Sequence, residues 1–372
     1  MANNPESVVA EVPTTGWVRV VLDLPLQGPF DYHCALPVLP GMRVIVPFGR
    51  RKMIGMVIEL PEKPAYDPKL IKEIEAVLND VEPMQEHWLR FAKFAAEYYQ
   101  RPLGEVVMPA LPLGLRTLGS YQGKRSGEGP VARLDKRKAP VEKAVKTNEA
   151  PELNAEQQQA VQAITKAEGY RTFLLYGVTG SGKTEVYLHA AAQALAKGKR
   201  VLMLVPEINL TPQFEQALRA RLEPVAGIGG VAVLHSALSD GERLRAWLRV
   251  KRGQARVVLG TRLSIFAPMD EVGLIVVDEE HDPSYKQQDG LRYSARDLAI
   301  WRGHDLGIPV VLGSATPSLE SWVQAEKGSY QRLDLTARAR EVTLPTDRLV
   351  DTRQLRMEHG LSPQLIDAMQ KR

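Results

Sequence analysis

The stretch that most constrains this chain is Thr172–Tyr187, TFLLYGVTGSGKTEVY. An apolar run typical of a buried strand leads into a glycine-rich loop, and Lys183 and Thr184 then open a helical segment. The loop matches the phosphate-binding pattern G-x-x-x-x-G-K-[ST]. Glycines let backbone N–H groups turn inward around phosphate oxygens, and a helix N-terminus favours the same anion. The sequence therefore predicts a nucleotide phosphate site on a strand–loop–helix unit.

Individual residues of this loop have predicted roles. Lys183 supplies a mobile positive charge, and Thr184 offers a hydroxyl ligand to a phosphate-bound Mg²⁺. The following segment, Val186–Lys197, has a helical pattern, and Gly198 is expected to end that helix. The predicted nucleotide-contacting residues are Gly177, Thr179, Gly180, Ser181, Gly182, Lys183 and Thr184.

Composition excludes several classes of protein. With 372 residues, 44% hydrophobic and 25% charged, the chain is long enough for two or three globular domains. Its formal net charge of +4 permits a polyanionic partner without requiring one. Cys34 is the only cysteine, so we expect no disulfide framework, no cysteine zinc site and a reducing cytoplasm. Without a targeting signal or an apolar run of spanning length, we expect no membrane partner.

The N-terminal part predicts a small β-rich unit. Within Gly16–Leu60, Pro and Gly separate four short β-rich runs, WVRVVLDL, FDYHCAL, MRVIVPF and MIGMVIEL. Lys69–Leu78 is compatible with either strand or helix. Glu86–Tyr99 has apolar residues at helical spacing, and we expect those side chains, including Trp88, to pack in a core.

The segment Leu115–Pro151 differs in composition from its neighbours. Lys and Arg outnumber Asp and Glu, and large apolar residues are few. Such a segment cannot bury enough apolar surface to fold alone, so we interpret it as a basic linker. Two interpretations stay open, a solvated tether or a strip that contacts phosphates without sequence preference.

From Leu153 onward, candidate strands alternate with helices. Glu156–Ile164 is predicted to be a helix with Asn154 as its N-cap. Candidate buried strands are Thr172–Tyr176, Val201–Val205, Val231–Leu234, Arg256–Leu259, Val272–Val277 and Val310–Leu312. Nearly continuous apolar strands between helices predict an α/β fold with a parallel sheet covered on both faces. Ligands of such sheets bind at the carboxyl ends of the strands.

A carboxylate cluster follows one of these strands, in the sequence GLIVVDEEHD. Asp278 is the candidate on the Mg²⁺ side, and Glu279 is the candidate base for an attacking water. For His281 we expect hydrogen bonding rather than metal ligation, because no metal-ligand spacing surrounds it. The segment LGSATP, at Leu312–Pro317, follows the next strand and either connects the nucleotide site to another surface or forms a plain turn.

Together these segments resemble a superfamily 2 helicase motor. The matching motifs are GVTGSGKT, VPEINLTPQ (Val205–Gln213), GTRLSIFAP (Gly260–Pro268), DEEH and GSAT. More narrowly, the chain resembles the PriA family of bacterial replication-restart helicases. That resemblance rests on LNAEQ (Leu153–Gln157), DEEHDPSYKQQDGLRYSARDLAIWR (Asp278–Arg302), FDY (Phe30–Tyr32) and VPFG (Val46–Gly49).

The resemblance implies a RecA-like helicase lobe 1 preceded by a β-rich domain that binds DNA 3′ ends. It implies ATP and Mg²⁺ as cofactors, with Lys183 and Thr184 at the phosphates and metal, Asp278 and Glu279 at metal and water, and Gln157 at the adenine. The implied 3′-end residues are Phe30, Asp31, Tyr32, Gly49 and Lys72. The loop that links DNA occupancy to hydrolysis would contribute Tyr285, Lys286, Arg292 and Tyr293, because aromatic rings stack on unpaired bases and cations meet phosphates.

The implied domains are 1–110 for 3′-end binding, 111–152 for the basic linker, 153–338 for lobe 1 and 339–372 for a connector and the start of a second lobe. The family's winged-helix domain does not fit within 111–152, and Leu291 stands where the family often has Trp. We also expect the second lobe and its cysteine-rich zinc module to lie outside this chain, so no zinc ligands are expected within it.

The resulting expectation is the N-terminal part of an ATP-dependent 3′→5′ DNA helicase that recognises stalled forks and initiates restart through primosome assembly. Its implied partners are forked and single-stranded DNA, single-stranded DNA-binding protein and primosome proteins, at the nucleoid in the cytoplasm. With one lobe, the chain is expected to hydrolyse ATP weakly. The alternatives are a fork or 3′-end binding module without turnover, and a translocase on duplex DNA.

Overall fold

The computed structural model describes residues 16–122, 128–137, 150–337, 349–353 and 355–370. A first sheet is antiparallel, in the order β2-β1-β4-β3-β5. Its strands are β1 (Gly16–Leu22), β2 (Phe30–Cys34), β3 (Arg43–Phe48), β4 (Arg51–Glu59) and β5 (Ala76–Leu78). The four predicted β-rich runs are thus confirmed. For Lys69–Leu78 the sequence allowed either strand or helix. The structure has a 3₁₀ turn at Pro68–Leu70, followed by the short edge strand β5.

Four helices connect this sheet to the rest of the chain: α1 (Glu86–Tyr98), α2 (Gly104–Val107), α3 (Leu113–Arg116) and α4 (Pro130–Asp135). Leu115 is fully buried, and Val131 and Leu134 are each less than a tenth exposed. Arg43 Nη1 donates a hydrogen bond to Leu115 O at 3.1 Å. The described part of the expected basic linker is therefore packed rather than a solvated tether. Residues 123–127 and 138–149 of that segment lie outside the described residues.

The second sheet has seven parallel strands in the order β12-β6-β11-β10-β7-β9-β8. Its strands are β6 (Arg171–Gly177), β7 (Arg200–Leu204), β8 (Val231–Leu234), β9 (Val257–Gly260), β10 (Val272–Val277), β11 (Pro309–Ser314) and β12 (Gln331–Leu335). All six predicted strands are confirmed. The seventh strand, β12, was not predicted. Only its alternate residues are apolar, and the polar residues between them are exposed or half-buried.

Helices cover this sheet on both faces: α5 (Ala155–Thr165), α6 (Lys183–Ala196), α7 (Pro212–Ala226), α8 (Asp240–Lys251), α9 (Ala295–Leu306) and α10 (Leu319–Glu326). A last helix, α11, spans Pro363–Gln370. Asn154 and Gln157 form a reciprocal capping box at the start of α5, which confirms the predicted N-cap. No helix in the described ranges has both the length and the apolar character needed to cross a membrane.

Helix α1 packs the N-terminal part of the chain against the parallel-sheet lobe. Trp88 Nε1 donates to Phe266 O at 2.8 Å, and the ring of Phe91 lies 5.2 Å from that of Phe266. Arg302, on α9, is 2% exposed, and its guanidinium donates to Ile265 O at 2.6 Å. The expected core packing of Trp88 is confirmed. One hydrophobic cluster contains residues of both parts, so the two parts pack against each other across the expected boundary near residue 110.

Candidate functional site

The glycine-rich loop joins β6 to α6 at the carboxyl edge of the parallel sheet. Gly180 and Gly182 have φ of 81° and 83°, in the left-handed region that side chains other than glycine rarely adopt. A Cβ at Gly177 would lie 2.5 Å from Ser181 Oγ. That hydroxyl is buried without a hydrogen-bond partner. The loop therefore has the close-packed glycine geometry and the unused donor expected of a phosphate cradle.

Lys183 lies in the first turn of α6 and is 8% exposed. Its Nζ donates to Gly177 O at 2.9 Å and lies 3.9 Å from Glu279 Oε1. A buried ammonium needs acceptors. Here one comes from the glycine-rich loop and the other from the carboxylate cluster after β10. Thr184 follows in the same turn and is half-buried, whereas Thr179 and Gly180 at the loop tip are exposed.

Asp278 follows the last residue of β10. Tyr187 Oη, on α6, donates to Asp278 Oδ1 at 3.0 Å. The pKa of Asp278 is raised from 3.8 to about 6, mainly by burial and next by the adjacent Glu279 charge, whereas the Tyr187 hydrogen bond and Lys183 act in the opposite direction. Burial next to Asp278 also raises the pKa of Tyr187 well above its ordinary value, so this hydroxyl stays a donor.

Glu279 has a φ of 44°, an unusual backbone conformation for a non-glycine residue. Its carboxylate faces Lys183 on one side and His281 Nδ1, at 3.6 Å, on the other. His281 Nδ1 lies 2.7 Å from Ser314 Oγ, and its Nε2 lies 3.3 Å from Thr316 Oγ1. The predicted hydrogen-bonding role of His281 is thus confirmed, and LGSATP is more than a plain turn because it contacts the carboxylate cluster.

Glu280 joins this cluster to two further helices, which the sequence did not predict. Its side chain is fully buried, and Arg296 Nη1 on α9 pairs with Oε2 at 3.1 Å. Ser318 N donates to Oε1 at 2.7 Å and Ser321 Oγ donates to Oε2 at 2.9 Å, both at the start of α10. A run of three acidic residues in the sequence was the available signal, because a carboxylate buried in such a run requires partners.

We call residues 282–294, which connect the carboxylate cluster to α9, the coupling loop. Tyr285 Oη donates to Asp278 O at 2.7 Å, and its ring is 3% exposed. Tyr293 is 4% exposed and lies 5.3 Å from Phe266, ring centre to ring centre. Expected stacking of these two rings on unpaired bases is not compatible with their burial. Lys286 and Arg292 are exposed and available for phosphates.

Two contacts from outside hold the coupling loop in place. Arg262 Nη1, in GTRLSIFAP, donates to Ser284 O at 2.8 Å and Lys286 O at 3.2 Å. Ser294 N donates to the Tyr99 hydroxyl at 3.0 Å, and Lys286 Nζ lies 5.3 Å from the centre of the Tyr99 ring. The end of α1 therefore contacts the loop that also contacts Asp278.

Gln157, expected at the adenine, is 3% exposed beneath the phosphate loop. Its Nε2 donates to Ser181 O at 2.9 Å, and its Oε1 accepts from Asn154 N at 2.9 Å. Both ends of the amide are thus engaged by the chain. In this conformation Gln157 supports the loop from below, and contact with a base would require a changed side-chain geometry.

The five residues expected at a DNA 3′ end do not share one surface. Because side chains alternate along β2, Phe30 and Tyr32 lie on one face and Asp31 on the other. Phe30 packs 5.2 Å from Phe48, Tyr32 Oη donates to Pro47 O at 3.2 Å, and Lys72 Nζ lies 3.5 Å from the exposed Gly49 O. Tyr32 is 4% exposed, and burial raises its pKa to about 12.

The side chain of Asp31 is 2% exposed and pairs with Arg19 Nε at 3.2 Å, while Ala65 N also donates to it. This residue lines a cleft between the first sheet and α1, together with Arg19, Glu59 and Tyr66. The structure therefore brings together Phe30, Tyr32, Gly49 and Lys72 around the β3–β4 turn and leaves Asp31 apart.

Comparison with known proteins agrees with these two parts of the chain. Residues 19–112 match the model of a 3′DNA-binding domain (3′BD), and residues 154–324 match that of the DEAD/DEAH box helicase. The chain is 39% identical over 365 residues to the replication restart protein PriA of Treponema pallidum, covering 95% of this chain and 52% of the relative. For PriA of Haemophilus influenzae the identity is 35% over 417 residues, covering 95% and 56%.

A solved structure, the Hef helicase domain of Pyrococcus furiosus, matches with 25% identity over 48% of this chain and 37% of that chain, at a TM-score of only 0.35. Such a low score supports no detailed comparison. The chain spans about half the length of the two curated relatives. Both domain models match in order, and the chain is thus similar along nearly all of its length to proteins named replication restart protein PriA.

Proposed function

We propose that this chain supplies the nucleotide-binding lobe and the 3′-end-binding domain of an ATP-dependent 3′→5′ DNA helicase. In this proposal the whole protein recognises stalled forks in the cytoplasm, at the nucleoid, and initiates replication restart by assembling a primosome with single-stranded DNA-binding protein. The matched 3′DNA-binding and helicase models and the printed names of the relatives support it.

One observation carries the proposal: a hydrogen bond joins the coupling loop to the nucleotide site. Lys183 Nζ lies 3.9 Å from Glu279, and Tyr285 Oη donates to the carbonyl oxygen of Asp278 at 2.7 Å. A change in the coupling loop must therefore act on the backbone that carries both carboxylates. Such a connection serves an enzyme whose nucleotide hydrolysis responds to nucleic acid better than it serves a passive DNA-binding module.

The residues at the site fit ATP and Mg²⁺. Ser181 Oγ is an unused buried hydroxyl, Gly177 admits no Cβ, and Asp278 and Thr184 provide oxygen ligands of the kind that Mg²⁺ prefers. Bound Mg²⁺ would neutralise charge on the phosphates. Lys183 would exchange its carbonyl contact for phosphate oxygens, Glu279 would accept a proton from water, and Tyr187 would keep Asp278 oriented.

A polypeptide of these 372 residues tests the proposal. We expect it to bind fluorescent ATP analogues weakly and to hydrolyse ATP slowly, because the described residues provide one lobe and a cationic partner at the γ-phosphate contributes several orders of magnitude in such enzymes. Lys183→Ala should abolish nucleotide binding. Lys197→Ala, at the other end of α6, is the matched control and should leave it unchanged.

Fork binding forms the second arm of this test. In titrations at several salt concentrations, a fork with a free 3′ hydroxyl should bind more tightly than one with a 3′ phosphate. Equal binding of both forks would argue against a 3′-end site. Fast DNA-stimulated hydrolysis by the 372-residue polypeptide would contradict the expected need for a second lobe, and no binding of any DNA would overturn the proposal as a whole.

A further inference from the structure

The end of β12 lies beside the phosphate loop. In the parallel pairing of β12 with β6, Leu335 stands opposite Gly177, where the loop motif begins. A Cβ at Gly177 would lie 2.9 Å from Leu335 Cβ and 3.3 Å from Leu335 O. The strand ends at Leu335, which is 1% exposed, and Thr336 and Ala337 follow it. We call these two residues the lobe exit, and the residue before them is thus packed against the nucleotide site.

One carboxylate holds the lobe exit. Glu156, the second residue of α5, accepts through Oε2 from Thr336 N at 2.8 Å and from Ala337 N at 3.1 Å. Its Oε1 accepts from the Thr336 hydroxyl. The Thr336 hydroxyl and then the Ala337 N–H lower the pKa of Glu156 below its usual value, so this group is ionised at neutral pH. Three donors on one ionised carboxylate fix the direction in which the chain leaves the lobe.

The neighbour of Glu156 supports the phosphate loop. The amide of Gln157 donates to Ser181 O at 2.9 Å and accepts from Asn154 N at 2.9 Å, which completes the capping box of α5. The start of α5 therefore contacts the phosphate loop through one side chain and the lobe exit through the preceding one. Because both residues belong to the first turn of the helix, a rearrangement at Gln157 changes the position from which Glu156 reaches the exit.

Contact between Gln157 and adenine requires such a rearrangement. An amide reads adenine by donating one hydrogen bond and accepting another at the edge that carries N6 and N7. Because the amide of Gln157 is buried, it reaches that edge only by leaving Ser181 O and Asn154 N. Departure from Asn154 N opens the capping box, which stabilises the first turn of α5.

We propose that Glu156 is a positioning residue that sets the direction of the lobe exit, and that capture of adenine by Gln157 loosens its hold. In the nucleotide-free lobe the intact capping box keeps Glu156 on Thr336 and Ala337. When adenine draws Gln157 away, half of that box is lost and the exit is released. The connector proposed for residues 339–372 follows the exit, so it receives a signal that depends on the base. The inference rests on the proposed function, since it requires the loop to bind an adenine nucleotide.

Binding of ADP and of inosine diphosphate to the 372-residue polypeptide tests this inference. Inosine diphosphate has the same ribose and phosphates, but a carbonyl oxygen replaces the 6-amino group of adenine, so the Gln157 oxygen finds no donor there. If adenine capture loosens the contacts of Glu156, removal of those contacts must favour adenine by the same factor, because linked binding equilibria are reciprocal. We expect Glu156→Ala to raise the affinity for ADP about 2- to 10-fold and to leave that for inosine diphosphate unchanged.

Two further variants separate this role from a merely structural one, which would weaken both nucleotides alike. Glu156→Gln can accept both backbone N–H groups with its oxygen and donate to the Thr336 hydroxyl with its nitrogen, so it should restore the ADP affinity of the unaltered chain. Thr336→Val removes only the hydroxyl and should show part of the Glu156→Ala effect. Glu168→Ala, at an exposed position beyond the other end of α5, is the matched control and should change neither affinity. Thermal melting verifies that each variant is folded.

Hydrogen exchange measures the lobe exit directly. Saturating ADP should speed exchange of the Thr336 and Ala337 amides about 2- to 10-fold, because their acceptor is released, whereas saturating inosine diphosphate should not. In Glu156→Ala these amides should exchange at the faster rate without nucleotide, and ADP should add nothing.

The outcomes separate the two proposals. If the unaltered polypeptide binds neither nucleotide, the proposed function is overturned. If it binds them, the role of Glu156 is overturned when Glu156→Ala lowers the affinity for ADP, changes both affinities equally or changes neither. It is also overturned when the two nucleotides act alike on the exit amides. A selective gain for ADP together with ADP-dependent exchange at the exit supports it.

Discussion

At the scale of single residues, the carboxylate of Asp278 is held in a setting that opposes its ionisation. Burial and the neighbouring Glu279 raise its pKa to about 6, and the Tyr187 hydroxyl offsets part of this effect. Tyr187 also lies against Gly313 of β11, where a Cβ would sit 1.5 Å from its hydroxyl oxygen. The contact fixes the tyrosine, and thereby the rotamer of Asp278, relative to three elements of the lobe.

Asp278→Asn should stabilise the nucleotide-free chain at neutral pH. An acid whose pKa is raised on folding binds more protons in the folded state, so the stability of the unaltered chain falls as pH rises from about 4 to about 6. The Asn variant lacks this decline, and its advantage should grow to about 1 to 3 kcal/mol above pH 6.

Urea unfolding with EDTA at a series of pH values measures this difference. Asp289→Asn, at the exposed tip of the coupling loop, is the matched surface control for the change from Asp to Asn. A constant difference between Asp278→Asn and the unaltered chain across the series would contradict the raised pKa.

The strand β2 shows which residue placements could be predicted. The resemblance grouped Phe30, Asp31 and Tyr32 in one site, but alternation along the strand places Phe30 and Tyr32 on one face and Asp31 on the other. The pairing of Asp31 with Arg19 and Ala65 N was not predictable, because it depends on the register between β1 and β2 and on the course of the following loop. Asp31 as a 3′-end ligand thus stays a proposal drawn from the resemblance.

At the scale of elements, the coupling loop is held by contacts that lie far apart in sequence. Arg262 donates a hydrogen bond to the carbonyl of Ser284. The Tyr285 hydroxyl donates to Asp278 O, and the Tyr99 hydroxyl accepts from Ser294 N where α9 begins. Amino-acid type alone suggested exposed aromatic rings for base stacking. The rings are buried because the loop folds back onto Phe266 and α1, a long-range arrangement that its own composition does not encode.

Tyr99→Phe should loosen the coupling loop without changing the fold. The substitution keeps the ring beside Lys286 and removes the acceptor of Ser294 N, a contribution worth about 0.5 to 1.5 kcal/mol. Hydrogen exchange of residues 283–294 should become about 2- to 10-fold faster. The control is Tyr98→Phe, the exposed neighbour. Equal exchange in both variants would show that α1 does not restrain the loop.

At the scale of the whole molecule, the N-terminal sheet and the parallel sheet are joined through α1 into one core. Strands, helices and caps of the lobe were predictable because periodicity and loop chemistry are local. The contact between the two sheets through α1 was not predictable, because Trp88 and Phe91 indicate only that α1 has an apolar face. Which partner that face meets is decided by Phe266 and Trp301, about 170 to 210 residues further on.

Trp88→Phe should destabilise both sheets together. It removes the donor to Phe266 O and leaves that buried carbonyl unpaired, at a cost of about 1 to 3 kcal/mol. We expect one urea transition, shifted equally when followed by limited proteolysis in the first sheet and in the lobe. Trp17→Phe, on β1, serves as the control with a smaller shift. Two separate transitions, only one of them shifted, would contradict a shared core.

The strand order of the parallel sheet also affects when the phosphate loop can fold during synthesis. The strand that carries the phosphate loop, β6, lies between β11 and β12, with Thr172 beside Val310 and Phe173 beside Gln331. Both neighbours are translated more than a hundred residues later. Contacts across such sequence distances form late, so a nascent chain displays GVTGSGKT long before that loop has a sheet to anchor it. ATP therefore cannot assist early folding on the ribosome, and it finds its site only once the lobe is nearly complete.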